Sequence, residues 1–304
     1  MVEEQTKTEE NNLFGRFHDK YYKLLLIIPL LVLLFSIFYM INFYHQNNDF
    51  IYKDISLSGG TIITVYNKID IKKLEIDLSS KLDEVSIRGV SDLITQEQKA
   101  VIIETKTSGE EAKSIIENYL GYKLTEENSS FEFTGSTLSE SFYNQLLIAI
   151  SVAFLFMAIV VFIVFRIPIP SLTVILCAIT DILFTLVTVN LLGIRLSGAG
   201  MVAFLMLIGY SVDTDILLTN RILKRTEGKL NQKIWGAFKT GITMTSTSIV
   251  AVFVALLITK SISDSLSQIF TIVFIGLFFD IFNTWLTNVS ILKWYLEVKE
   301  KKTQ

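Results

Sequence analysis

The stretch "LIGYSVDTDILLTNRILKR", residues 207–225, sets two aspartates inside a run that otherwise reads as membrane-spanning. Asp213 and Asp215 stand just ahead of the basic residues Arg221, Lys224 and Arg225, in an apolar segment that begins near Gly198. A carboxylate in hydrocarbon costs about 2.5–3.5 kcal/mol even on the lenient insertion scale. A chain that keeps two of them there must shield them, neutralise them or use them.

The rest of the chain supports the membrane reading. Its 304 residues are 51% hydrophobic, too apolar for an ordinary soluble domain of this size. A bilayer core of roughly 30 Å needs about 20 helical residues, and six stretches qualify: 22–43, 144–165, 171–193, 198–219, 240–260 and 268–292. The first is not read as a cleavable signal peptide, since it carries Pro29 and lacks a small-residue cleavage site. The expected plan is an α-helical polytopic membrane protein. A tail (1–21) leads into one span, a mixed polar domain (44–143) follows, and five further spans lead to a second tail (293–304). The loop 220–239 between the fourth and fifth spans is basic.

Lysine and arginine set the orientation. The two tails, Lys23 at the tail-side edge of the first span, Arg166 and the loop 220–239 hold fifteen of them, and the short loops on the opposite side, with their span edges, hold only Arg195 and Lys260. Both termini are therefore expected in the cytoplasm of a cell-membrane protein, with the domain 44–143 outside. That domain has ten basic and seventeen acidic residues, a net of −7, which disfavours nucleic acid or anionic lipid as its partner. Cys177 is the one cysteine, so no intrachain disulfide is available.

Within the outer domain, "TIITVYN" (61–67) alternates as a strand does, and "DIKKLEIDLSSKL" (70–82) has helical apolar spacing. "EVSIRGVSDL" (84–93) and "KAVIIETK" (99–106) read as two strands joined through "TQEQ". "SGEEAKSIIENYL" (108–120) reads as a helix, N-capped at Ser108 with Glu111 three residues on and ended by Gly121. "SSFEFTG" (129–135) closes the set. The order βαββαβ is that of a ferredoxin-like unit. The pair Gly59–Gly60 in "SLSGGT" (56–61) has no helix after it to present amides to phosphate. It reads as a turn that needs positive φ.

Asp213 and Asp215 have company. Asp181 lies at the centre of the third span and Asp280 at the centre of the sixth. The six apolar runs contain no lysine, arginine or histidine other than Lys23 and Lys260 at their very ends. Either these carboxyls are held neutral, or a partner subunit supplies positive charge, or water reaches them. Two residues apart on a helix means about 200° of rotation. Asp213 shares a face with Gly209 and Asn220, and Asp215 shares another with Ile208 and Thr219. Asp213 is expected to be the functional carboxyl, with Asp215 snorkelling toward cytoplasmic water. Thr240, Thr243 and Thr247 in the fifth span, with Asp280, Asn283 and Thr287 in the sixth, are expected to continue a polar stripe into the bundle. Such stripes mark ion or proton pathways, although hydroxyls also serve as interhelical glue.

"GYSVDTDILLTNRI" (209–222), "SGGT" (58–61), "GSTLSESF" (135–142) and "KTGITMT" (239–245) together resemble the SecD/SecF family of protein-export membrane proteins, and within it the archaeal SecF type. The family motif residues are Gly59, Gly60, Thr61, Gly209, Tyr210 and Ser211. The resemblance implies half of an RND-type transporter fold, paired with a SecD-like subunit. It further implies association with the Sec translocon, and use of the proton gradient to draw unfolded exported polypeptides outward. Asp213 matches the aspartate of the V-D motif in SecD-type chains, and Arg221 matches the family's arginine after the fourth span. Bacterial SecF chains carry their acid at the position of Thr214, and the acid of the family's D-x-x-G-G motif is replaced by Ser56. No cofactor or metal is implied.

Other classes fit less well. An intramembrane aspartyl protease needs a G-x-G-D run where this chain has "IGYSVD", and there is no Walker-type loop for a nucleotide. A self-contained RND-like transporter would have to homodimerise, since one chain supplies one half. A purely structural translocon subunit would carry silent acids.

Overall fold

A computed structural model of the chain describes residues 21–92, 95, 97–224, 230–260 and 262–303. The N-terminal tail up to residue 20, part of the "TQEQ" connection and part of the basic loop (225–229) lie outside the described residues.

Helix α1 (Ile27–Asn47) belongs to a first span that runs Tyr21–Asn47. A short helix α2 (Ile55–Ser58) follows, which the sequence patterns do not announce. The domain is then β1 (Gly60–Val65), α3 (Ile71–Leu78), β2 (Ser86–Ser91), β3 (Gln98–Thr105), α4 (Gly109–Leu120) and β4 (Ser129–Thr134). The bundle continues with α5 (Ser136–Phe165), α6 (Pro168–Leu191), α7 (Gly198–Lys224), α8 (Leu230–Thr259) and α9 (Asp264–Asn283). A π-helical turn, Thr284–Asn288, joins α9 to α10 (Val289–Thr303), making one long sixth span of Asp264–Lys299. Among the described residues, six helices are thus long and apolar enough to cross a membrane.

The sheet has the order β2-β3-β1-β4 with every pair antiparallel, as βαββαβ connectivity requires. Alternation puts Ile63, Val65, Val101 and Ile103 on one face, where they meet Leu74 and Leu78 of α3 and Ala112 and Ile116 of α4. Leu74 and Leu78 are fully buried, worth about 1.5–3 kcal/mol each. Asp70 caps α3 by accepting from Lys72 N at 3.1 Å. Ser108 has the extended backbone of a cap, but its hydroxyl makes no capping bond, so the expected capping box is absent.

The helices overrun the apolar stretches that announce them, because hydropathy stops where a helix leaves hydrocarbon and backbone hydrogen bonding does not. α5 starts at Ser136 rather than 144, directly after β4, and α8 starts at Leu230 rather than 240. The described part of the basic loop 220–239 is therefore helix. α6 and α7 are the central helices, and α1, α5 and α8 keep most of their apolar surface outward. At the domain-bearing end, Ile51 and Leu57 of the α1–β1 linker pack with Tyr143, Leu196, Met201 and Leu277 of the bundle. The linker is also tied by backbone bonds, Asp54 N to Leu196 O (2.9 Å) and Leu196 N to Tyr52 O (2.7 Å).

Candidate functional site: a buried carboxyl cluster in the bundle

Three of the four membrane aspartates converge. Asp181 of α6, Asp215 of α7 and Asp280 of α9 are each fully buried. Ser211, one turn before Asp215 on α7, donates to Asp181 Oδ2 at 2.6 Å. Thr284 Oγ1 lies 2.9 Å from Asp215 Oδ1 and 3.4 Å from Asp280 Oδ1, and Asn288 Nδ2 donates to Asp215 Oδ1 at 2.7 Å. Asn283 Nδ2 donates to the Cys177 carbonyl at 2.9 Å, which ties α9 to α6.

Local structure explains the convergence. Asp280, Thr284 and Asn288 follow at spacings of four, so an α-helix lines them up on one face. The π-helical turn carries a wide bond, Val289 N to Thr284 O, and widened turns of this kind recur at functional sites. On α7, residues four apart share a face, which puts Ser211 beside Asp215 and toward α6. Gly276 and Gly241 let neighbours approach: a Cβ at Gly276 would collide with the Leu207 side chain of α7.

The cluster has fewer donors than acceptors. Asp181 Oδ1, Asp215 Oδ2, Asp280 Oδ2, Asn283 Oδ1 and Asn288 Oδ1 are buried and accept nothing. A buried carboxylate without a cation or a full set of donors is expensive, and a proton is the smallest group that removes the charge. Among the described residues no group of three His, Cys, Asp or Glu is arranged to hold a metal ion. The arrangement has the chemistry needed to take up and release protons.

The structure reverses the expected placement of the two α7 aspartates. Asp213, expected to face the polar interior, is exposed, along with Gly209, Tyr210 and Asn220. Asp215, expected to snorkel, is fully buried in the cluster. The sequence establishes the 200° offset but not which side faces the core, and the packing of α6 and α9 decides it. The fifth-span stripe is corrected similarly. Thr243 and Thr247 are exposed and bond back to carbonyls of their own helix. Thr240 reaches a neighbour, accepting from Arg221 Nη2 at 2.9 Å. Thr214 lies 3.4 Å from Thr245 across the α7–α8 contact. Of the sixth-span residues, Asp280 and Asn283 are in the cluster, and Thr287 is buried beside it with its hydroxyl unpartnered. The sequence reading misses Thr284 and Asn288, although their spacing of four and eight from Asp280 is visible there.

The motif glycines and Ser56 act at the other end. Gly59 and Gly60 have φ of +83° and +147°, and Ser56 Oγ accepts from Gly198 N at 3.2 Å, linking α2 to the start of α7. Thr61 Oγ1 donates to Thr107 O at 2.8 Å within the domain.

Comparison with known proteins agrees with this architecture. Residues 115–298 match the family model "Protein export membrane protein SecD/SecF, C-terminal". The chain is 39% identical to the protein-export membrane protein SecF of Methanocaldococcus jannaschii, over 93% of this chain and 99% of that one. It is 32% identical to the SecF of Pyrococcus furiosus, over 92% and 93%. Its fold matches the crystal structure of SecDF, a translocon-associated membrane protein, from Thermus thermophilus with a TM-score of 0.64 at 17% identity, covering 93% of this chain and 38% of that one. The chain belongs to the SecD/SecF family of protein-export membrane proteins, and its curated relatives are SecF chains.

Proposed function

We propose that this chain is the SecF-type subunit of a two-chain export assembly in the cell membrane, working beside the Sec translocon on unfolded exported polypeptides and driven by the proton gradient. Its partner is a SecD-like chain that covers the outward face of α7. The observation that carries the pairing is that face itself. Val202, Met206, Gly209, Asp213 and Asn220 recur at helical spacing and are all exposed, on a helix whose other sides are core. A mid-span aspartate left in lipid is costly, and a Cβ added at Gly209 would meet nothing within 4 Å, which leaves room for a close neighbour. The buried cluster supplies the proton site. The first and second spans, which flank the sheet domain in sequence, transmit its state outward.

A photo-crosslinking residue placed at Met206 in cells is expected to capture a SecD-like chain, while one at Phe156, on the outward side of α5, is not. Capture of a second copy of this chain at Met206 would favour a self-contained homodimeric transporter. No adduct at Met206 would leave Asp213 facing lipid and overturn the pairing.

The charge asymmetry supports an outer position for the sheet domain. Cysteine at Ser108 should react with an impermeant thiol reagent added to intact cells, and cysteine at Lys239 should not. The opposite labelling pattern would invert the orientation and remove the domain from the side where exported chains emerge.

A further inference from the structure

Where the sheet domain meets the bundle there is a cavity of about 290 Å³ whose wall includes Asp54, Arg88, Glu104, Arg195 and Asp264. These come from five separate places: the cap of α2, β2, β3, the α6–α7 loop and the first residue of α9. Glu104 is only 2% exposed. Arg88 Nη2 donates to Glu104 Oε1. Arg88 Nε lies 2.9 Å from Asp264 Oδ2 with its N–H directed off that oxygen, so this contact is electrostatic. The Asp54 side chain caps α2 through Ile55 N at 2.7 Å while standing beside Glu104. Arg88 therefore spans the boundary, with one carboxyl from the domain and one from the bundle.

The charges do not balance. Three carboxyls, Asp54, Glu104 and Asp264, line the cavity with Arg88, and Arg195 is exposed at the rim. The other nearby cations are engaged elsewhere, Lys53 with Asp49 at 2.5 Å and Lys106 with Glu84 at 2.6 Å. Burial pushes Glu104 up to about 7, with the Asp54 charge adding to the rise, Arg88 opposing it and Asp264 adding a little more. A carboxyl whose pKa is raised by docking binds its proton more tightly when docked. Its contribution to docking is therefore full below the ordinary carboxyl range and is lost as pH rises through about 7.

We propose that Glu104, with Asp54, Arg88 and Asp264, forms an acid-closed latch that holds the sheet domain against the α6–α7 loop and the head of α9, and opens when Glu104 loses its proton. The latch lies outside the spans and is separate from the buried cluster. On the outer face it reports the acidity of the side from which protons enter, so the domain is docked when that side is acidic and freed when it is not. Its outer position rests on the orientation read from the charge asymmetry. Backbone bonds between Asp54, Leu196 and Tyr52 keep the linker in place, which makes the motion a tilt about the linker rather than a detachment.

The test is the distance between spin labels at Ile76, which is 73% exposed on the domain, and Leu192, 61% exposed at the bundle rim. It is measured by pulsed electron resonance on the full chain, purified with its native partner chains in nanodiscs between pH 5 and 9. A single narrow distance in acid should broaden or shift with a midpoint near 7. Glu104→Gln, which keeps shape and is neutral throughout, should stay narrow at every pH. Asp264→Asn should fold normally and move the midpoint to lower pH. A wild-type distance that does not change with pH, or a Glu104→Gln protein that responds like wild type, would overturn the latch. Neither result bears on the crosslinking at Met206, so the pairing stands or falls separately.

Discussion

Gly59→Ala is expected to undo the junction between the sheet domain and the bundle. Gly59 sits at φ 83° and ψ 155°, a region that is essentially reserved for glycine and costs other residues about 1–3 kcal/mol. The added methyl would also lie 2.6 Å from Ser136 Cα and 2.7 Å from Ser136 N. Both are backbone atoms at the start of α5, so no side chain can swing aside, and overpacking of this kind adds about 1–3 kcal/mol. The sum, roughly 2–6 kcal/mol, is a large share of the ~5–15 kcal/mol that holds a typical fold. Amide exchange should speed up in β1 and in the first turns of α5, and the thermal midpoint should fall. Gly135→Ala, at the same junction but with φ −66° and nothing within 4 Å, should leave both unchanged. Equal behaviour of the two variants would contradict this account of the glycine pair.

Much of this architecture is legible in the residues alone. The six apolar runs, the alternation in "TIITVYN" and the Gly59–Gly60 turn each report a local constraint, and each corresponds to an element of the structure. The site is legible only in part. Asp181, Asp215, Asp280 and Asn283 stand out because they are polar in apolar runs. Their grouping depends on how α6, α7 and α9 pack, and in a helix apolar on nearly every side the sequence has no strong moment to orient it. That is why Asp213 and Asp215 exchange their expected places. Thr284 and Asn288 are obscured for another reason. They fall past the centre of the sixth apolar run, where hydroxyls and amides are ordinary, and the π turn that carries them leaves no composition signal.

The central claim is that the buried carboxyls, not the exposed one, couple this chain to the proton gradient. Asp215 is the sharpest probe, because it accepts from both Thr284 and Asn288 and sits at the middle of the cluster. Asp215→Asn keeps nearly the same size and one acceptor oxygen, so the bundle should assemble, but the group can no longer take up or release a proton. Asp213→Asn, on the outward face, keeps a polar group for the partner and should leave coupling intact. The decisive measurement is translocation of an exported polypeptide into proteoliposomes holding the export assembly, with and without an imposed proton gradient. Asp215→Asn is predicted to lose the whole gradient-dependent increment while matching wild type when the gradient is collapsed, and Asp213→Asn to retain most of it. Full gradient response in Asp215→Asn, with its loss in Asp213→Asn, would contradict the account.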